Sequence, residues 1–243
     1  MGGMRDNHFD TEVAERYDAG SPEMFAPEVL GPTVEVLAGL AGGGRALELA
    51  IGTGRVALPL AERGVEVHGI ELSQAMVDQL RAKPGGDRIP VTVGDMTETR
   101  VPGEFGLVYL VFNTIGNVTT QDHQVAVFEN AAAHLAVGGR FVVEVGVPPL
   151  QRLPLGERFV VFDHTPQHVG IDEIDVVTQR AWSHHHTPEG SGTLPYRYVW
   201  PAELDLMARI AGLRLESRWA DWNRSPFTAT SPAHVSTWER IGS

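Results

Sequence analysis

Cysteine is missing from the 243-residue sequence. That excludes disulfides, thiolate metal ligands and a cysteine nucleophile together. Positive charge is scarce: 19 Lys and Arg stand against 31 Asp and Glu, a formal net charge of −12. Gripping phosphates needs a basic surface, so no nucleic-acid partner is expected. Long apolar runs are lacking as well. No stretch reaches the roughly 20 residues that span a bilayer, and the opening M-G-G-M-R-D-N-H has no signal-peptide core. No membrane partner is expected, and a cytoplasmic location is the default. Gly2 begins a myristoylation-like sequence, but Asp6 stands where Ser or Thr is required.

What the chain does have is one well-marked stretch, R-A-L-E-L-A-I-G-T-G-R-V-A, from Arg45 to Ala57. An apolar run from Ala46 to Ile51, interrupted by Glu48, leads into Gly52 and Gly54 and then into a helical pattern through Val56, Leu58 and Leu60. This is a strand, a tight turn and a helix start. Glycine there permits positive φ and lets the backbone touch a ligand, and the free N–H groups of the helix face the same spot. A plain strand-to-helix connection would read the same way, so the residues that follow must decide.

Strands are expected at Ala46 to Ala50, Val65 to Ile70, Ile89 to Val93, Leu107 to Phe112 and Arg140 to Val145. Helices are expected near Arg55 to Arg63, Gln74 to Ala82 and His123 to Leu135. This alternation predicts an α/β fold, doubly wound about a mostly parallel sheet. Ligands of such sheets sit at the carboxyl ends of the strands. The second strand ends at Glu71 with Leu72 beyond it, and the third ends at Asp95 beside Met96. Glu71 follows the glycine turn at the distance of an acid that holds ribose hydroxyls. Asp95 suits an adenine amino group, with Met96 against the ring. Either acid could instead cap the helix after it.

Here the chain resembles the class I S-adenosylmethionine-dependent methyltransferases. The matching pieces are Glu48 to Gly54, Glu71-Leu72-Ser73, Gly94-Asp95-Met96 and Leu110-Val111-Phe112-Asn113. Ala50 departs from the glycine usual in the family. The resemblance implies a Rossmann-like seven-stranded sheet and S-adenosylmethionine as methyl donor. It implies donor contacts at Tyr17, Glu48, Ala50, Gly52, Gly54, Glu71, Leu72, Asp95, Met96 and Phe112. A nicotinamide dinucleotide enzyme is the competing reading, since Gly52-x-Gly54-x-x-Ala57 meets that fingerprint too. Glu48 and Asp95 speak against it: a negative environment suits a sulfonium and an ammonium and repels two phosphates. A module that binds the donor without turnover is a further alternative.

The remainder frames this core. Residues 1–44 read as an N-terminal helical flap, with helices from Asp10 or Thr11 to Tyr17 and from Pro27 to Leu40, and residues 45–147 as the donor-binding core. Residues 148–200 read as an antiparallel β insertion covering the active site, and 201–243 as a helix and closing strands. In the insertion, one long strand or a pair reaches from His168 or Ile171 to His186, then a turn at T-P-E-G-S-G and a strand from Tyr196 to Trp200. Strict alternation puts Ile174, Val176, Thr178, Arg180, Trp182, His184 and His186 on one face. That wall could clasp a small-molecule acceptor, or fill the insertion's own core or a subunit contact. Candidate bases are His186, His184 and His123, with Asn113 and Asn117 as orienting groups. Asn113 could equally cap a turn. Asn117 stands near where some amino-sugar N-methyltransferases carry a histidine. No metal is expected at His184 to His186, for want of acids at matching spacing. The insertion's open edges are compatible with a homodimer. The function expected is methyl transfer from S-adenosylmethionine to a nitrogen or oxygen of a small metabolite.

Overall fold

Strand β1 (Ala46–Leu49) has all four residues buried, including an acid, and that burial dictates the architecture. A parallel strand covered on both faces needs helices on both. The computed structural model, which describes residues 10–20 and 22–242, supplies them. Gly2 and Asp6 lie outside the described residues. After α1 (Thr11–Arg16) and α2 (Pro27–Ala41), β1 is followed by α3 (Ala57–Glu62), β2 (Val67–Glu71), α4 (Gln74–Arg81), β3 (Val91–Val93) and β4 (Phe105–Leu110). Next come α5 (Gln121–His134) and β5 (Leu135–Gly146). The insertion holds β6 (Phe159–His164), β7 (Val169–Asp175), β8 (Arg180–Thr187) and β9 (Gly190–Arg197). The chain closes with α6 (Pro201–Ile210), β10 (Leu213–Trp219) and β11 (Ala233–Arg240).

The main sheet has seven strands in the order β3-β2-β1-β4-β5-β11-β10. Its first five are mutually parallel; β11 runs antiparallel to β5 and β10 to β11. Leu47, Leu49, Val108 and Phe141 pack with Phe128 of α5 and Leu204 and Met207 of α6 on one side. Ala46, Leu107, Tyr109 and Val142 pack with Leu37 of α2 and Leu60 of α3 on the other. Strand order reverses at β1 and β4, so the crevice of a doubly wound sheet opens above their carboxyl tips.

The insertion is a separate antiparallel sheet, β6-β7-β8-β9. The run from 171 to 186 is two strands, and the expected common face is broken between them. Asp175 accepts hydrogen bonds from the Val177 amide and the Thr178 hydroxyl, and Gln179 adopts φ +57°. This Asx-type turn competes with strand alternation and wins. Ile174 therefore pairs with Ala181 and Asp172 with Ser183. Ile174, Ala181, Ser183 and His185 share a face; Arg180, Trp182, His184 and His186 occupy the opposite one, and Val176 and Thr178 lie in the turn. The T-P-E-G-S-G turn is also tighter than expected: only Pro188 and Glu189 turn, and β9 begins at Gly190. Ile174 and Ala181 are buried with Val160 and Tyr198, against Leu150, Leu153 and Tyr196. Theirs is the inward face.

Candidate active site

At the tip of β1 the backbone enters the left-handed region three times within five residues: Ala50 at φ +54°, Gly52 at +57° and Gly54 at +80°. For glycine this costs nothing. A Cβ on Gly54 would stand 2.2 Å from Leu80 Cδ1, so any side chain there must displace that leucine as well as bear the left-handed φ. Ala50 is different, because an L-residue pays about 1 kcal/mol for that conformation. Ala50→Gly is expected to raise Tm by about 2–4 °C; calorimetry finding an unchanged or lower Tm would show that the turn holds no strain.

Two acids converge on this turn. Glu71, at the end of β2, accepts the Gly52 amide on Oε2 at 2.8 Å and the Ser73 amide on Oε1 at 2.9 Å. Burial pushes its carboxyl above the usual range, against the pull of those backbone donors. Asp95 follows β3, the neighbour of β2, and its Oδ1 accepts from the Thr97 amide at 2.8 Å and hydroxyl at 2.7 Å. Leu72 is exposed beside Glu71, and Met96 packs on the core while its carbonyl accepts from Asn130 at 2.7 Å. The strand tips thus bring the glycine turn, Glu71 and Asp95 to one edge.

Glu48 lies beneath the turn rather than in it. It is 4% exposed, accepts from the Tyr109 hydroxyl at 2.9 Å and is also hydrogen-bonded by the Ala57 backbone at the start of α3. Burial pushes its carboxyl up to about 8. The expectation of a standing negative charge here is therefore corrected: near neutral pH the free protein holds Glu48 mostly protonated, because an unpaired buried carboxylate is costly.

The flap is fastened to the same turn. Tyr17, just after α1, is half-buried with its hydroxyl pushed up by burial, and it feels the charges of Arg55 and Glu71. Next to it, Asp18 accepts from the Thr53 hydroxyl at 2.6 Å and pairs with Lys83, whose Nζ donates to the Thr53 carbonyl at 2.8 Å. Asp18, Thr53 and Lys83 escaped the sequence reading because they lie 35 and 30 residues apart along the chain. A cavity of about 290 Å³ opens beside the latch, lined by Tyr17, Met24, Phe25, Arg55 and Phe112.

Beyond β4, Phe112 and Asn113 are both left-handed, at φ +59° and +60°. The Asn113 carboxamide oxygen accepts the Gly146 amide at 2.6 Å and the Phe112 amide donates to Glu144 at 2.9 Å, so Asn113 ties the β4 tip to the β5 tip. Its side chain makes no cap bond to the 3-10 turn that follows, so the expected turn cap is not formed and the carboxamide serves the strand-to-strand tie instead. The Arg55 guanidinium lies 4.9 Å from the Phe112 ring centroid. Asn117 is exposed at the end of the 3-10 turn 114–117, and His123 sits in the first turn of α5. His184 bonds Thr193 at 3.0 Å and His186 bonds Ser191 at 2.8 Å, both on the face turned away from Ile174 and Tyr196. They keep the company of Arg180 and Trp182, but the wall expected to include Ile174, Val176 and Thr178 is broken. Arg180 stacks on Trp182 on that same outer face.

Residues 46–139 match the family described as a methyltransferase domain. The solved CcbJ methyltransferase from Streptomyces caelestis is 36% identical, with a TM-score of 0.80, over 95% of this chain and 96% of that one. The chain belongs to the class I S-adenosylmethionine-dependent methyltransferase family. The curated cypemycin N-terminal methyltransferase of a Streptomyces species is 27% identical over 96% of this chain and 97% of its own length. CalS10 of Micromonospora echinaspora, an amino pentose methyltransferase solved with S-adenosylmethionine bound, shares the fold at 19% identity, with a TM-score of 0.69 and coverage of 94% and 97%. Like its family, this methyltransferase uses S-adenosylmethionine, which displaces the nicotinamide and non-catalytic readings. The cradle suits that donor: the left-handed glycine turn, Glu71 and Asp95 meet at one edge of the sheet.

Proposed function

We propose that this methyltransferase moves the methyl group to a nitrogen of a small amine-bearing metabolite or peptide end. Glu71 takes the ribose hydroxyls, Asp95 and Met96 the adenine, and Gly52 and Gly54 the methionyl portion, with Leu72 and Phe112 flanking. Tyr17 closes over the donor, and Glu48 positions the turn from below. The insertion, residues 148–200, covers the acceptor, and Asn117 orients it. The observation that carries the reading is the meeting of Glu71 and the Gly52 amide, 2.8 Å apart, at the edge that also holds Asp95. Nitrogen is favoured over oxygen by the N-terminal methylation that the cypemycin relative performs.

S-Adenosylmethionine supplies a methyl group already activated by its positive sulfur. The protein's task is alignment, exclusion of water and removal of a proton. A cytoplasmic location, where the donor is made, belongs to the same proposal. So does a homodimer through the edge strand β6, whose Phe159 and Val161 are each 57% exposed. Incubation with S-adenosylmethionine and a panel of amines and alcohols tests the function by mass spectrometry. S-Adenosylhomocysteine together with a one-methylene mass gain on amines is expected. Turnover of alcohols alone would overturn the nitrogen reading, and turnover of no acceptor would overturn both.

A further inference from the structure

A file of hydrogen-bonded side chains crosses the inward face of the insertion. At its tip, His168 Nδ1 lies 2.6 Å from Asp163 Oδ2, and His168 Nε2 lies 2.9 Å from His185 Nδ1. The two imidazoles stack, with centroids 5.1 Å apart and planes inclined by 20°. His185 Nε2 lies 3.1 Å from Ser183 Oγ, and Ser183 and Tyr196 both hydrogen-bond the Asp172 carboxylate. Each of the insertion's strands contributes to the file, with His168 entering just ahead of β7.

The foot of the file packs on the turn that follows β4. A Cβ on Gly116, in the turn beyond β4, would come within 3.8 Å of Tyr196 Cβ. Strand β4 neighbours β1, whose tip carries the glycine turn. The neighbouring Arg197 is buried and holds this foot in place: it bonds Glu203 of α6 at 2.6 Å, Gln179 at 3.1 Å and Gln124 of α5. The imidazoles of His184 and His185, from β8, are the charged groups whose fields reach Asp172. His168, Asp172, His184 and His186 act on His185. Burial pushes the Asp172 carboxyl up, which favours proton uptake there, and holds the His185 imidazole down.

We propose that this file carries away the proton that the acceptor nitrogen loses, with Tyr196 as the catalytic residue and Asp172, Ser183, His185 and His168 as positioning residues leading to Asp163. The idea rests on the nitrogen reading above. As the N–C bond forms, the C–S bond breaks and its electron pair stays on sulfur. The surplus N–H proton goes to the Tyr196 oxygen while the phenolic proton moves to Asp172. Successive hops release one proton to water at Asp163 and leave both imidazoles in the opposite tautomer, which proton exchange with water resets before the next turnover.

Tyr196→Phe, Asp172→Asn and His168→Gln test the route, the last at the half-exposed rim where folding is least at stake. Asp172→Asn is expected to lower kcat about 100-fold near neutral pH and to remove the acid limb of the pH profile, with donor affinity by calorimetry unchanged. His168→Gln is expected to be slower at low buffer concentration and to recover on adding imidazole. In the free protein, nitrogen-15 spectra should show the His185 midpoint fall in Asp172→Asn, which removes the carboxylate that raises it. Variants within threefold of the parent with an unchanged pH profile, a His185 midpoint that Asp172→Asn leaves unmoved, or a joint loss of kcat and donor affinity would each overturn the route. A parent that methylates no amine sinks the nitrogen reading and the route together. A parent that turns over while its variants are indifferent sinks the route alone.

Discussion

Calorimetry on Glu71→Ala is expected to find S-adenosylmethionine bound at least about 100-fold more weakly than by the parent. Hydrogen bonds to a charged group contribute roughly 1.5–3 kcal/mol each. Two ribose hydroxyls on one carboxylate therefore amount to about 3–6 kcal/mol, or two to four decades of affinity. The substitution also strips the Gly52 and Ser73 amides of the acceptor that now lies 2.8 and 2.9 Å away, so the turn loses its tether to β2. Glu71→Gln keeps the shape and one acceptor oxygen and should fall between. Asp95→Ala, which removes a single adenine contact, should weaken binding by about one decade. Donor affinity in Glu71→Ala equal to the parent's would remove Glu71 from the site.

Glu48 should make both stability and donor affinity depend on pH. Burial pushes its folded carboxyl up to about 8, above the ordinary carboxylate range. A raised value means that the folded state holds a proton which the unfolded chain releases. Its stabilisation is complete below the ordinary carboxylate range and is lost as pH climbs toward 8. The slope approaches about 1.4 kcal/mol per pH unit, so from pH 5 to 7 Tm should fall by about 5–10 °C from this group. Other carboxyls shift in both directions, so the decisive quantity is the difference between parent and Glu48→Gln, which cancels them. The donor adds the complementary test. Its ammonium and sulfonium favour the ionised carboxylate, so binding should release a proton, and affinity should rise with pH toward 8. Calorimetry in two buffers of different ionisation enthalpy reads that release. Parallel pH profiles for parent and Glu48→Gln would show that Glu48 does not titrate in this range.

The donor half of the site was legible in sequence because its parts are local. Gly52 and Gly54 announce the turn, and Glu71 and Asp95 each follow a short β-branched run that reads as a strand, buried in β2 and half-exposed in the edge strand β3. The β4 tip was half legible: Phe112 and Asn113 were singled out, but two successive left-handed residues other than glycine carry no sequence mark. The acceptor side was misread at one point, the Asp175 turn. A turn that resets a two-residue period moves every later side chain to the other face. It exchanged His184 and His186 for Ser183 and His185, and no count of alternating residues reveals it.

By itself, the order of apolar runs and glycines determined the sheet, its doubly wound form and the edge at which a nucleoside would lie, since burial on two faces leaves a Val-, Ile- and Leu-rich strand few alternatives. The absence of cysteine and the excess of acid were equally decided there. Only the tertiary structure joined Asp18 to Thr53, Arg197 to Gln124 and Glu203, and Asp163 through His168 and His185 to Ser183. It also showed Glu48 buried under the turn with its charge suppressed. Such contacts depend on distances between elements far apart in the chain and on the water excluded around them, and neither quantity is written in any local stretch of residues.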